Sequence, residues 1–388
     1  MLIVRPIGPG AGRYYADSPV PGTWVGGGAT ALGLGGDVDL GDLAEVLSGC
    51  HPGAGPIGDP RHPRRRAGWD LTFAAPKGMS LVAAVTGGGA GHDLGDVHRR
   101  AVDEALSFAT RHACWVRRGE AGYEHAGDGM VAARFEHPTS ATGDPHLHTH
   151  VLLVNALRAE DGRWSAVAVS PLWRSERELA AIYRLGLRHH LRMAGHHPAW
   201  TIGADGNADL ADVPRPAIIA ASRRATQIDD HRRDGRPTAG RNAARAVTRS
   251  RGPAVDPGAW RTAVGRAGLD NERAVAILSG DGRGAPEPAA FEAGRVGEAL
   301  AAKASTFTIR DVIRTIGDTS APGMTAADAE AYAEGFCARA VPAGPGRWTT
   351  PEARAADHAV VVRIAERATA GVGTVAERRL EASAADPT

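Results

Sequence analysis

The stretch "RFEHPTSATGDPHLHTHVLLVNAL", residues 134–157, places four histidines within fourteen positions beside an apolar run. Imidazole is a poor core filler, so its recurrence at alternate positions asks for a chemical reason. Side chains alternate across a strand, so His146, His148 and His150 share one face with Leu152 and Val154, while Leu147, Thr149, Val151 and Leu153 take the other. Upstream, "MVAARFEH" (130–137) reads as a partner strand with Val131, Ala133, Phe135 and His137 on a common face. The intervening "PTSATGD" is rich in turn formers, which predicts an antiparallel hairpin. That hairpin sets His137, near the end of one strand, beside His148 and His150 near the start of the next. His146 lies on the same face, beyond the rim.

Three neutral imidazoles with coordination positions left over describe a catalytic metal site rather than a closed structural one. His137, His148 and His150 are therefore the candidate ligands of a divalent ion. Many metallohydrolases follow His-x-His with Asp-His, and cupin-like sites place a carboxylate a few residues on; here those positions carry "VLLVN". The remaining chemistry must come from elsewhere. Asp70, opening "DLTF", shares a strand face with Thr72 and is a candidate to orient an imidazole or to accept a proton. The adjacent Tyr14 and Tyr15 are candidate nucleophiles, since a phenol attacks once its proton is removed. In an extended segment their hydroxyls would point opposite ways, so one alone would face a given phosphate.

The rest of the chain bounds these readings. Its 388 residues can hold two or three domains. The net charge of +1 excludes a global electrostatic field for nucleic acid, so any such binding needs a local patch. Residues 215–265 offer one, with eleven arginines against four aspartates. Only two of the 45 basic residues are lysine, Lys77 and Lys303, a bias read as genomic rather than functional. Three scattered cysteines argue against a disulfide framework and for a reducing cytoplasm. No signal peptide, membrane span or P-loop is legible, so neither a membrane nor a nucleotide is expected as partner. A helix is expected over 174–194, where Leu179, Ile182, Tyr183, Leu187 and Leu191 form a stripe.

Taken together, these motifs resemble those of MobF-type, TrwC-like conjugative relaxases, members of the His-hydrophobe-His endonucleases. The resemblance rests on "YY" near the start, "DLTFAAPKGMSL" (70–81), "FEHPTSATGDPHLHTHVLLVN" (135–155) and "SRRATQI" (222–228), and covers about residues 1–270. It implies an α+β fold: an antiparallel sheet palm flanked by helices, with helical fingers at about 215–270. A linker over 271–290 and a helical extension over 291–388, similar to the lead-in to a helicase but without helicase motifs, complete the expected organisation.

The same resemblance implies His137, His148 and His150 as metal ligands, Asp70 as their working carboxylate and Tyr14 as the tyrosine that attacks DNA, with Tyr15 as second choice. Magnesium or manganese is the expected ion, with zinc as the alternative. The expected partner is single-stranded DNA or a hairpin of a transfer origin, with other transfer-apparatus proteins besides. Candidate DNA contacts are Lys77, Arg223, Arg224, Arg245, Arg249 and Arg251. The implied reaction nicks one strand, leaving a 5′-phosphotyrosyl link and a free 3′-hydroxyl that allows rejoining. Two departures stand out. The second tyrosine pair common in the family is absent from "ADSPVPGTW", and Ala141 stands where an arginine is typical. A non-nicking origin-binding or replication-initiator-like protein with a decayed site is the alternative. A hydrolase of small molecules would leave the tyrosines and the basic region unexplained.

Overall fold

The computed structural model describes residues 1–15, 20–57, 66–117, 122–140, 142–203, 206–223, 257–280, 293–320 and 322–370. Its central feature is an antiparallel sheet in the order Leu2–Ile7, Gly68–Ala74, Pro145–Arg158, Met130–Thr139, Thr23–Val25, with the short Trp164–Ser165 strand pairing the far end of Pro145–Arg158. The predicted hairpin is present and its register sets the site. His137 lies opposite His148, Phe135 opposite His150, and on the other side Thr72 opposite His150.

Both faces of this sheet are covered, giving three layers. On one face lie the long helices Gly88–His112 and Val169–Met193. The second follows the predicted stripe: Leu179, Ile182, Tyr183, Leu187 and Leu191 are all buried. Gly186 lets these helices approach closely, because a Cβ there would sit 3.2 Å from the Ala101 Cα. The first helix gives way to the Trp115–Arg117 strand.

The other face buries Val131, Ala133, Phe135, Leu152, Val154 and Ala156 against Tyr15, Trp24 and the helix Leu40–Ser48. That helix is well terminated. Asp39 accepts hydrogen bonds from the Gly41 and Asp42 amides at its start, and Gly49 closes it with φ at 92°. Alternation along the central strand thus separates two cores, with histidines at the rim of one of them.

The chain divides into two compact units, 1–292 with 316–330, and 293–315 with 331–388. This revises the expected organisation in two places. Asn271–Ser279, expected as linker, is a helix capped by Asp270, buries Ala274, Ile277 and Leu278, and packs on helix Lys77–Thr86. Its apolar positions recur at helical spacing, so burial outweighed the loop-like "DGRG" that follows. Residues 316–330, expected to belong to the helical extension, group with the first unit. There the Gly317 carbonyl accepts from Arg188, and the Ala326 amide donates to Glu104.

In the second unit, "VPAGPGRW" is a hairpin of Val341–Gly344 with Arg347–Thr349. Phe307 and Trp348 exchange backbone hydrogen bonds beside it at 2.8 and 2.9 Å. The helix Pro351–Thr369 buries no residue.

Candidate metal centre and active site

The three predicted ligands converge. One ligand atom from each of His137, His148 and His150 lies within 4.8 Å of the other two, and these are the only such group among the described residues. Their ring centroids are 5.1–5.3 Å apart, close to edge-on. The donor chemistry fits a divalent ion. The Nδ1 of His148 lies 2.8 Å from the His146 carbonyl, which can only accept, so this nitrogen carries the proton. The Nδ1 of His150 is likewise placed 2.9 Å from Asp70 Oδ2. Both rings thereby present Nε2 as the coordinating atom, a tautomer fixed by the outer hydrogen bond. Burial, followed by the charges of His146 and His150, holds the His148 pKa well below the usual imidazole value. The ring is kept neutral, as a ligand must be.

His146 does not join the group. It stacks on His148 at 4.8 Å, and burial together with the Lys77 charge lowers its pKa to about 4. Its position beyond the rim follows from the register, since the partner strand's register shifts between His137 and Thr139.

Asp70 is the hub of the second layer. Its carboxylate, in a residue 8% exposed, accepts from His150, from the Thr72 hydroxyl at 3.1 Å and from the Tyr15 hydroxyl at 3.1 Å. Thr72 had no role in the sequence reading, though its signal was present: two residues after Asp70 in a strand is the same face. Tyr15 is buried, stacks on Phe135 at 5.0 Å and meets the His150 ring edge-on at 5.1 Å. Such a stacked aromatic pair contributes roughly 0.5–1.5 kcal/mol beyond its buried area. The tyrosine pair is not extended: Gly12–Tyr15 is a short helical turn, following Pro9–Ala11.

The turn between the histidine strands is held by polar contacts that sequence reasoning missed. Asp144, 1% exposed, accepts from the Thr142 hydroxyl at 3.1 Å and from Arg223 Nε at 2.7 Å. Gly143, with φ at 74°, donates to the Ser140 carbonyl and supplies the left-handed residue that the turn requires. Lys77 donates to the Pro145 carbonyl at 2.6 Å, and burial lowers its pKa to about 8.

Two of the six candidate DNA contacts, Lys77 and Arg223, are thus engaged with the protein and brace the hairpin. The reason is local: each lies within hydrogen-bond reach of a carbonyl or carboxylate at the base of the turn. Arg224, Arg245, Arg249, Arg251 and Ala141 lie outside the described residues. The helices flanking the basic segment, Arg215–Ala220 and Pro257–Arg266, pack against each other, so the segment leaves and returns at one place.

The chain resembles proteins of known structure over 70% of its length. The relaxase TrwC in its metal-free complex with oriT DNA is 32% identical, with a TM-score of 0.61, covering 70% of this chain and 100% of that one. The metal-bound complex gives the same identity and score. TrwC with a 27-mer carrying the recognition hairpin and cleavage site is 31% identical, with a TM-score of 0.60. The multifunctional conjugation protein TraI of Escherichia coli is 30% identical over 345 residues; the match takes in 79% of this chain and 19% of TraI, so the chain spans about a fifth of that relative. The model of the TrwC relaxase family matches residues 7–263. That span holds the histidine hairpin, Asp70 and both tyrosines, and by it this chain belongs to the TrwC relaxase family.

Proposed function

We propose that this protein nicks one DNA strand at the transfer origin of a plasmid or mobile element by tyrosine transesterification. The observation that carries the reading is the single cluster in which three imidazoles, Asp70 and a tyrosine of the pair meet at one sheet rim. Held by His137, His148 and His150, a divalent cation supplies Lewis-acid polarisation of a phosphate oxygen; magnesium or manganese is the expected ion. Asp70 orients rather than deprotonates: with three donors on its carboxylate it fixes the His150 tautomer and the Tyr15 hydroxyl. Tyr15, stacked and hydrogen-bonded in the core, is a positioning residue. Tyr14, beside it in the same turn, loses its phenol proton to solvent and attacks phosphorus; the 3′-oxygen leaves and takes up a proton, giving a 5′-phosphotyrosyl link and a 3′-hydroxyl. The link retains the ester's energy, so the reverse reaction rejoins the strand without ATP.

DNA is gripped by the basic segment that includes Arg224, Arg245, Arg249 and Arg251, whose charges neutralise phosphates. Without a second tyrosine pair, a second strand transfer falls to Tyr15 after rearrangement or to another copy of the chain.

The test uses 3′-labelled oligonucleotides tiling the DNA beside the gene, with Mn²⁺, and looks for a covalent adduct on denaturing gels. Wild type and Tyr15→Phe should form it; Tyr14→Phe should not, while binding the oligonucleotide with nearly unchanged affinity. No adduct from the wild type would leave an origin-binding protein as the better reading. An adduct lost in Tyr15→Phe but kept in Tyr14→Phe would exchange the two roles.

A further inference from the structure

Behind the metal centre, one imidazole is fully enclosed and has no part in the site described above. His98, on helix Gly88–His112, is 1% exposed. Its Nδ1 lies 2.8 Å from the Tyr183 hydroxyl, and its Nε2 lies 2.8 Å from the Thr149 hydroxyl. Thr149, 0% exposed, sits between His148 and His150 and faces the opposite way. Tyr183, from helix Val169–Met193, packs 5.4 Å from Phe73, the cross-strand neighbour of Thr149. One ring therefore ties two helices to the strand at the residue between two ligands.

We propose that His98 is a positioning residue for the metal centre: its bridge from Tyr183 to Thr149 fixes the register and depth of the strand that carries His148 and His150. The inference rests on the metal-dependent reading above.

Most contacts between this sheet face and the helices are apolar, and apolar burial has no preferred direction. Hydrogen bonds do: they weaken outside about 2.7–3.2 Å and away from linearity. A slip of one residue would exchange the strand's faces, sending His148 or His150 into the helix layer. Even a shift of about 0.5 Å is enough to spoil a coordinating constellation. The bridge is also chemically matched. Burial lowers the His98 pKa to about 3, so the ring is neutral, with one nitrogen donating and one accepting. Its two partners are hydroxyls, each able to do either.

The same atoms could serve packing alone, and one substitution set separates the roles. Replacing all three members together, His98→Leu with Thr149→Val and Tyr183→Phe, leaves no orphaned polar atom, a change that can be nearly neutral for stability. Co²⁺ added to the metal-stripped full-length protein is the probe, read by its visible absorption spectrum and by titration, with urea unfolding measured alongside. Expected is a triple variant of near wild-type urea midpoint whose Co²⁺ affinity falls about tenfold or more, with an altered band shape.

Unchanged affinity and spectrum in the triple variant would reduce His98 to a packing residue. Should the triple variant fail to fold, the isosteric Thr149→Val alone decides: weaker Co²⁺ binding supports the proposal, wild-type binding overturns it. A wild type that binds no Co²⁺ would overturn the metal reading and this proposal with it, a result distinct from failure in the variants alone.

Discussion

Histidines lie on opposite sides of one strand, a set at the rim and His98 alone on the helix side, and use their nitrogens differently. On the rim, His148 and His150 each engage one ring nitrogen, with the His146 carbonyl and with Asp70, and turn the other to a shared centre. On the helix side, His98 has both nitrogens on hydroxyls. The difference teaches how the same side chain becomes a ligand or a strut. A ring with one nitrogen fixed is oriented and still reactive; a ring with both fixed is inert and transmits position. The strand's alternation keeps the two uses apart, with Thr149 as the residue common to both.

Breaking the rim side should have the largest effect. His148→Ala removes a coordinating atom outright. Metal affinity is expected to fall by more than about 100-fold, beyond the upper end of losses seen when only a supporting partner is removed. Covalent adduct formation should disappear, while far-ultraviolet circular dichroism stays that of the wild type. Retained Mn²⁺ binding in calorimetry would take His148 out of the centre.

Asp70→Asn is milder, because the amide oxygen can still accept from His150. What it loses is the charge that raises the imidazole's basicity. A fall in cleavage rate of about 10–100-fold is expected, with metal affinity moving in the same direction. Cleavage at the wild-type rate would show that the contacts seen at Asp70 do not bear on the reaction.

This contrast between rim and helix side was only half legible in the sequence. The rim could be read because it is local. His137, His148 and His150 belong to one hairpin, alternation assigns their face, and "PTSATGD" marks the turn. Asp70 and Thr72 were readable as a same-face pair, though nothing in the sequence showed that their strand pairs with the histidine strand.

The helix side could not be read. His98, Thr149 and Tyr183 are separated by 51 and 85 residues from their partners, and each looks ordinary where it stands. The protein partners of Lys77 and Arg223 were hidden for a related reason. Basic side chains near a DNA site suggest phosphate contacts, and only the fold shows the Pro145 carbonyl and the Asp144 carboxylate beside them. The 271–279 helix was hidden by its length: a short amphipathic stretch before a Gly-rich run gains its stability from packing on helix Lys77–Thr86, not from its own propensity.

The smallest expected effect lies in the pH dependence of stability, and it isolates His98. Burial lowers its pKa from 6.5 to about 3 in the folded protein, while the unfolded chain regains the ordinary value. Above about pH 6.5 both states leave the ring neutral and this group contributes no slope. As pH falls from there toward about 3, the unfolded chain binds a proton that the folded protein refuses. The unfolded state gains, and stability drops by about 1.4 kcal/mol per pH unit from this group. Carboxylates add their own dependence at the acid end, so the wild-type curve alone assigns nothing. The difference between wild type and the His98→Leu/Thr149→Val/Tyr183→Phe variant does, because only one titrating group in this range has gone. Urea unfolding of metal-stripped protein between pH 6 and 4.5 should therefore give the variant the shallower loss, by about one proton's worth of slope. Parallel curves would mean that His98 takes up its proton in the folded state too, and that the bridge to Tyr183 and Thr149 is not closed in solution.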